Sequence, residues 1–104
     1  MPFNGNEGSA ILPETAGEWT RQYQENNPGE VRAYFAGRAI LEKILAQKDC
    51  MGIRIYYGLD GGTPTMVLVG ADADENDQLS NGCIVVDDLC ACPTYCSKAN
   101  ILNS

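Results

Sequence analysis

Three cysteines fall within the stretch DLCACPTYC (residues 88–96), and a fourth, Cys83, lies seven residues upstream of the first of them. Thiolates bind metals, form disulfides and attack electrophiles, so this cluster is the place to look for chemistry. A zinc site would use Cys83, Cys90, Cys92 and Cys96 as a tetrahedral four-thiolate set. The spacing fits poorly. Cys92-x₃-Cys96 suits a chelating turn, but Cys83 and Cys90 flank a short apolar run, and Cys90-x-Cys92 is tight for paired ligation. A four-cysteine iron–sulfur cluster meets the same objection. A reactive thiol needs a pKa lowered by a helix N-terminus or a nearby cation, and Cys96 is the best candidate, after Pro93 and close to Lys98. Against these stands a plainer account, in which cysteine is a small, readily buried residue and Cys50 and Cys83 pack in or beside the core. That account is preferred, with all five thiols expected free, reduced and without metal.

A second stretch, DADEND (residues 72–77), places Asp72, Asp74 and Asn76 at the first three ligand positions of an EF-hand loop. Position six of that loop should be Gly and is Asp77; position twelve should be Glu and is Cys83. A solvated turn explains the stretch better, because Asp and Asn bond their own backbone and tolerate left-handed conformations. A third stretch, LPETA (residues 12–16), has the form of a sortase signal but lies near the N-terminus, with no apolar span and basic tail behind it. Thr15 and Glu18 have the spacing of a capping box, so it reads as a helix start.

The chain has 104 residues, enough for one domain with a real core. Fourteen acidic against seven basic residues give a net charge of −7, which repels phosphate backbones and anionic membranes. Nucleic acid and membrane are therefore not expected partners. There is no histidine, which removes the commonest general base and the commonest nitrogen ligand for metals. No cofactor is implied, and the balance leans away from an enzyme. The N-terminal MPFNGNEGSA has neither the basic region nor the apolar run of a signal peptide, and nowhere do 18 apolar residues run together. A cytoplasmic location is expected. There thiols stay reduced, and an odd cysteine count argues against a closed disulfide framework.

These residues must be held by a small set of elements. Residues 1–12 read as a flexible lead-in and 13–104 as a single α+β domain. Ala16, Trp19 and Tyr23 recur at helical spacing from Ala16 to about Asn26. Asn27 and Pro28 then carry the signals of an N-cap and first helical position, with Glu30 completing the box. A helix is predicted through VRAYFAGRAILEKILAQK, with a kink or break at Gly37, where Arg38 falls inside the apolar arc. GIRIYYGLD alternates, with Ile53, Ile55, Tyr57 and Leu59 on one face and Arg54 and Tyr56 on the other. A glycine turn follows, then TMVLVGAD, apolar on both faces as in a central strand. The pairing puts Tyr57 opposite Met66, Ile55 opposite Leu68 and Ile53 opposite Gly70. CIVVDD supplies a third strand.

LPETAGEW, VRAYFAGRAILEKIL, GIRIYYGLDGG, MVLVGADADEND and CPTYCSKANILN together resemble a family of small uncharacterised bacterial proteins, over nearly the whole chain. The resemblance implies a free-standing cytoplasmic domain and no particular activity. The expected fold is α+β, with two or three N-terminal helices packed on one face of an antiparallel meander of strands 52–60, 64–72 and 83–88. The outer face, with Arg54, Tyr56, Val67 and Val69, is then left open for a protein partner or a second copy. The leading expectation is a small non-enzymatic interaction or accessory module. The alternative is a thiol-dependent redox or metal-binding protein using the C-terminal cysteines.

Overall fold

The structure, a computed structural model, describes residues 2–103. It is α+β, with two helices and two antiparallel sheets: α1 (Pro13–Asn26), β1 (Ala33–Phe35), α2 (Arg38–Leu45), β2 (Gly52–Asp60), β3 (Thr63–Ala71), β4 (Val85–Val86) and β5 (Cys90–Cys92). One sheet has the order β2-β3-β4, and the other pairs β1 with β5. The chain divides into two compact units. The first takes the described residues up to Glu7 together with Ala36–Leu89; the second takes Gly8–Phe35 and the described residues from Cys90 onward.

The first unit is built on the β2–β3 hairpin. Asp60 pairs with Thr63 across a two-residue loop of Gly61 and Gly62, whose φ values are +56° and +90°. Two left-handed residues make the turn whose twist matches the flanking strands, which is why glycine occupies both places. The register then follows by alternation, and the predicted pairs Tyr57–Met66, Ile55–Leu68 and Ile53–Gly70 all form. The other edge of β3 is covered in two pieces. Asp77 bridges Ala71, and Val85–Val86 pairs with Val69 and Leu68. The core is Ile44 from α2 with Leu68, Val69 and Ala71 from β3.

Gly70 lets a polar knot close over this core. A Cβ there would lie 2.5 Å from Gln78 Oε1 and 2.9 Å from Gln47 Nε2. The two glutamines satisfy each other: Gln47 Nε2 donates to Gln78 Oε1 (2.9 Å), Gln78 Nε2 donates to the Lys48 carbonyl (2.7 Å), and the Ile84 amide donates to Gln47 Oε1 (2.8 Å). Gln78 is buried, so these bonds are what make its burial tolerable.

Helix α2 is shorter than the periodicity predicts. Gly37 is its N-cap, with extended φ and ψ, and Arg38 is its exposed first residue. The chain therefore breaks at Gly37 rather than kinking, and Arg38 no longer falls in the buried arc. Ile44 becomes the centre of the buried face, with Ile40 and Leu41 half-buried beside it. The residues before Gly37 form β1, paired with β5 in the register Ala33–Cys92, Tyr34–Ala91 and Phe35–Cys90. Asn27 does not start a helix. Its side-chain amide donates to the Tyr23 carbonyl (2.9 Å), which satisfies an open acceptor at the C-terminus of α1.

In the second unit α1 starts at Pro13 with Leu12 as N-cap and no side-chain cap bond, so Thr15 lies within the first turn. Proline suits that place because its missing N–H would have had no helical partner. Gly17 is buried against Ile101, and Gln24 Nε2 donates to the Leu102 carbonyl (2.9 Å). Arg32 Nη1 reaches the Asn103 carbonyl (3.2 Å). These three contacts tie the C-terminal residues to α1 and to the approach to β1.

The beginning of the predicted lead-in is held to the first unit. The Phe3 amide donates to the Ala73 carbonyl (3.0 Å). Glu7 accepts from the Asn4 and Gly5 amides (3.0 Å each), and these donors, the Asn4 amide first, hold its carboxyl below the ordinary range.

Candidate functional site

The turn after β3 begins with Asp72, whose Oδ1 accepts the amides of Asp74 (2.9 Å) and Asn76 (3.0 Å). Glu75 sits at φ +70° inside that turn. Asp72 therefore spends its carboxylate on its own backbone, as the turn interpretation of DADEND requires. The turn delivers Asp77 to the face of β2 that carries Arg54 and Tyr56. Arg54 Nη1 donates to Asp77 Oδ1 (2.5 Å) and to the Glu75 carbonyl (3.1 Å), and Tyr56 Oη donates to Asp77 Oδ2 (2.5 Å). The Arg54 guanidinium also stacks 5.4 Å from the centre of the Phe3 ring.

Each partner shifts the others. The Tyr56 hydroxyl, and then the Arg54 guanidinium, hold the Asp77 carboxyl below the ordinary aspartate value. Donation to Asp77 raises the Tyr56 phenol, and the same carboxylate raises Arg54. All three directions follow from the ion pair and the hydrogen bond already formed. A general acid or base near neutral pH needs the opposite tuning.

Of the four residues of the expected interaction face, Tyr56 is 46% exposed and the others are covered to different degrees. Arg54 and Tyr56 are engaged by Asp77, Val67 is half-buried, and Val69 is 2% exposed and belongs to the core. Val69 is covered because β3 has neighbours on both edges, with Val85 its partner in β4. On the opposite face the β3 residue Leu68, across from Ile55, is buried, and it is the β2 side chains towards the turn that are exposed. Ile55, Tyr57 and Leu59 are 57%, 89% and 74% exposed, although their alternation predicts a buried stripe. Strand β2 forms one edge of its sheet and is exposed towards the turn. Near the base of β2, Phe3, Gly5 and Glu7 line an open pocket of about 360 Å³ together with Met51–Arg54.

The cysteines divide between the units. Cys92 and Cys96 form a disulfide, with a Cα–Cα distance of 4.8 Å, while Cys50, Cys83 and Cys90 are free. The expectations of five free thiols and of Cys96 as the reactive one are corrected accordingly. Cys92 is held at the end of β5, and the PTY turn brings Cys96 back to it: the Tyr95 amide bonds the Ala91 carbonyl (2.9 Å). That i, i+4 return escapes a search for C-x-x-C. Cys83 lies in the first unit and the other three members of the proposed zinc set in the second. Among the described residues no three Cys, Asp or Glu side chains are grouped as metal ligands. Of the free thiols, Cys90 is exposed, and Cys50 donates to the Gly52 carbonyl (3.2 Å). No helix among the described residues is long and apolar enough to cross a membrane.

No protein family, curated protein or solved structure matches the chain.

Proposed function

We propose that this chain is a small non-enzymatic interaction module that engages a protein surface through the tip of its β2–β3 hairpin. The observation that carries the proposal is the exposed row of Ile55, Tyr57 and Leu59 on an open edge strand. A lone exposed apolar residue needs no explanation, but three in alternation on one strand make a patch that a monomer seldom leaves uncovered. The lack of histidine in the sequence and the tying up of Arg54, Tyr56 and Asp77 in one another both weigh against catalysis. The test is a photo-crosslinking residue at position 57, irradiated in native extract and in purified protein. A crosslinked protein band, lost when Leu59→Lys is added, supports the module. Crosslinking indifferent to Leu59→Lys, or none at all, sinks it.

A second reading is favoured by the disulfide lying two residues from the exposed thiol of Cys90. In it, the Cys90 thiolate attacks one sulfur of the Cys92–Cys96 bond and releases the other as thiolate, as in ordinary thiol–disulfide exchange. Equilibration in glutathione buffers separates the two. A pair that opens reversibly near the cytosolic poise, and more slowly in Cys90→Ser, supports the redox role. A pair that resists the glutathione pool is structural.

A further inference from the structure

We infer that the partner for the β2 edge is a second copy of the same edge, paired antiparallel with Tyr57 on the two-fold axis. This rests on the interaction reading above and adds to it the identity and register of the occupant.

The direction of the backbone groups comes first. With a two-residue loop, Asp60 and Thr63 form a hydrogen-bonded pair, and the strand period of two then turns the N–H and C=O of Gly58, Tyr56 and Arg54 towards β3. Those of Leu59, Tyr57 and Ile55 point to the open edge. The far side of β3 agrees: the Gly70 carbonyl accepts the Gln78 amide (2.8 Å), away from β2, so its partner Ile53 also points outward. Leu59, Tyr57 and Ile55 thus present both outward backbone groups and exposed side chains, whereas Ile53 points outward but is half-buried.

The register comes from self-complementarity. With Tyr57 on the axis, Ile55 meets Leu59 and Tyr56 meets Gly58, each twice by symmetry. The outward amides and carbonyls of residues 55, 57 and 59 all find partners, and their apolar side chains form one continuous row. On the other face Arg54, which keeps its bond to Asp77, comes opposite Asp60, so that opposite charges rather than like ones face each other at each end. Moving the axis to Tyr56 sets Arg54 against Gly58 and Asp60 against Gly52, so neither charge meets an opposite one. Moving it to Gly58 sets Asp60 against Tyr56 and leaves Arg54 beyond the strand. Only the Tyr57 axis matches both charges. A five-residue pairing is small, so the dimer is weak and concentration-dependent.

The test uses single cysteines on the intact chain under mild oxidation with oxidised glutathione, with linked peptides identified by mass spectrometry. Tyr57→Cys should give a 57–57 product, because residues on the axis face themselves at a distance a disulfide spans. Ile55→Cys should not link to itself but should link to Leu59→Cys when the two are mixed. Self-linking of Ile55→Cys as strong as that of Tyr57→Cys overturns the register. Tyr57→Pro removes an outward N–H and none that bonds β3. It should abolish dimers in sedimentation while the circular dichroism stays native, and dimers that persist overturn strand pairing. If the photo-probe at position 57 captures a different protein and no 57–57 link forms, the second copy is excluded while the interaction module stands. If neither forms, both fall.

Discussion

Asp77 accepts from a guanidinium through one oxygen and from a phenol through the other, and both interactions leave a pH signature of known sign. Its carboxyl is held below the ordinary 3.8, so the unfolded chain takes up this proton first as pH falls. The stabilisation is whole above that value and fades below it, until folded Asp77 is protonated too. Tyr56 is raised above 10.0, so its share is whole below that value and is lost as pH climbs through the folded phenol. Asp77→Asn should therefore melt lower than the parent by a constant margin from about pH 5 to 9. The margin should shrink at both extremes; a margin that peaks near neutrality would contradict this. Alternation named Arg54 and Tyr56, but Asp77 was missed because it arrives from 23 and 21 residues away through a turn whose geometry is set by Asp72. The cysteines differ from expectation for a related reason: a free-thiol default ignores the local return that puts Cys96 against Cys92. Denatured, unreduced protein should titrate three thiols, and reduced protein five. Cys92→Ser should cost about 2 kcal/mol, the loop-closure value for so short a ring, read from denaturant melts of the oxidised forms. No change would mean that the pair is open in solution.

The hairpin was legible in the sequence because everything that determines it is local: a glycine pair at the turn and strict alternation on either side. The region 27–37 was not. Asn27-Pro28-x-Glu30 carries the local signal of a helix start, but the Asn27 amide serves the preceding helix and residues 33–35 pair with a strand near the C-terminus. No local pattern announces a partner so far along the chain. Helix α1 shows the same limit on a smaller scale. Thr15 has capping spacing, yet Pro13 starts the helix two residues earlier, so Thr15→Ala should change stability by less than about 0.5 kcal/mol, as for an ordinary substitution away from a cap. Gly17 makes the sharper test. Glycine inside a helix costs about 1 kcal/mol relative to alanine, so Gly17→Ala should stabilise a free helix. Here the added Cβ would lie 2.7 Å from both Ile101 Cγ1 and the Ile101 carbonyl oxygen. A side chain can swing away, but a backbone carbonyl moves only with its segment. Gly17→Ala is therefore expected to lower the melting temperature and speed amide exchange at residues 100–103. A rise in melting temperature would show that the segment is not packed there.

The unit boundaries run against chain order: the first unit takes the N-terminal residues and the middle of the chain, and the second takes what lies between them and the end. Sequence reading placed one domain after a lead-in, since composition changes along the chain mark linkers but not interleaving. What composition does govern is how two molecules meet. Each chain carries a net charge of −7. Two such charges roughly 30 Å apart repel by roughly 7 kcal/mol in water without screening. At ~0.01 M salt the screening length is about 30 Å and a few kcal/mol survive, whereas at ~0.15 M it is about 8 Å and little remains. The Arg54–Asp60 pairs of the proposed dimer act the other way, but exposed pairs contribute no more than about 1 kcal/mol each. Repulsion wins. Dimerisation should strengthen on the order of a hundredfold between those two salt concentrations, and again as pH is lowered towards the isoelectric point near 4.3. Sedimentation equilibrium across a salt series measures this directly. A dimer that weakens steadily with salt would mean that the charged pairs, and not the apolar row of Ile55, Tyr57 and Leu59, hold the copies together.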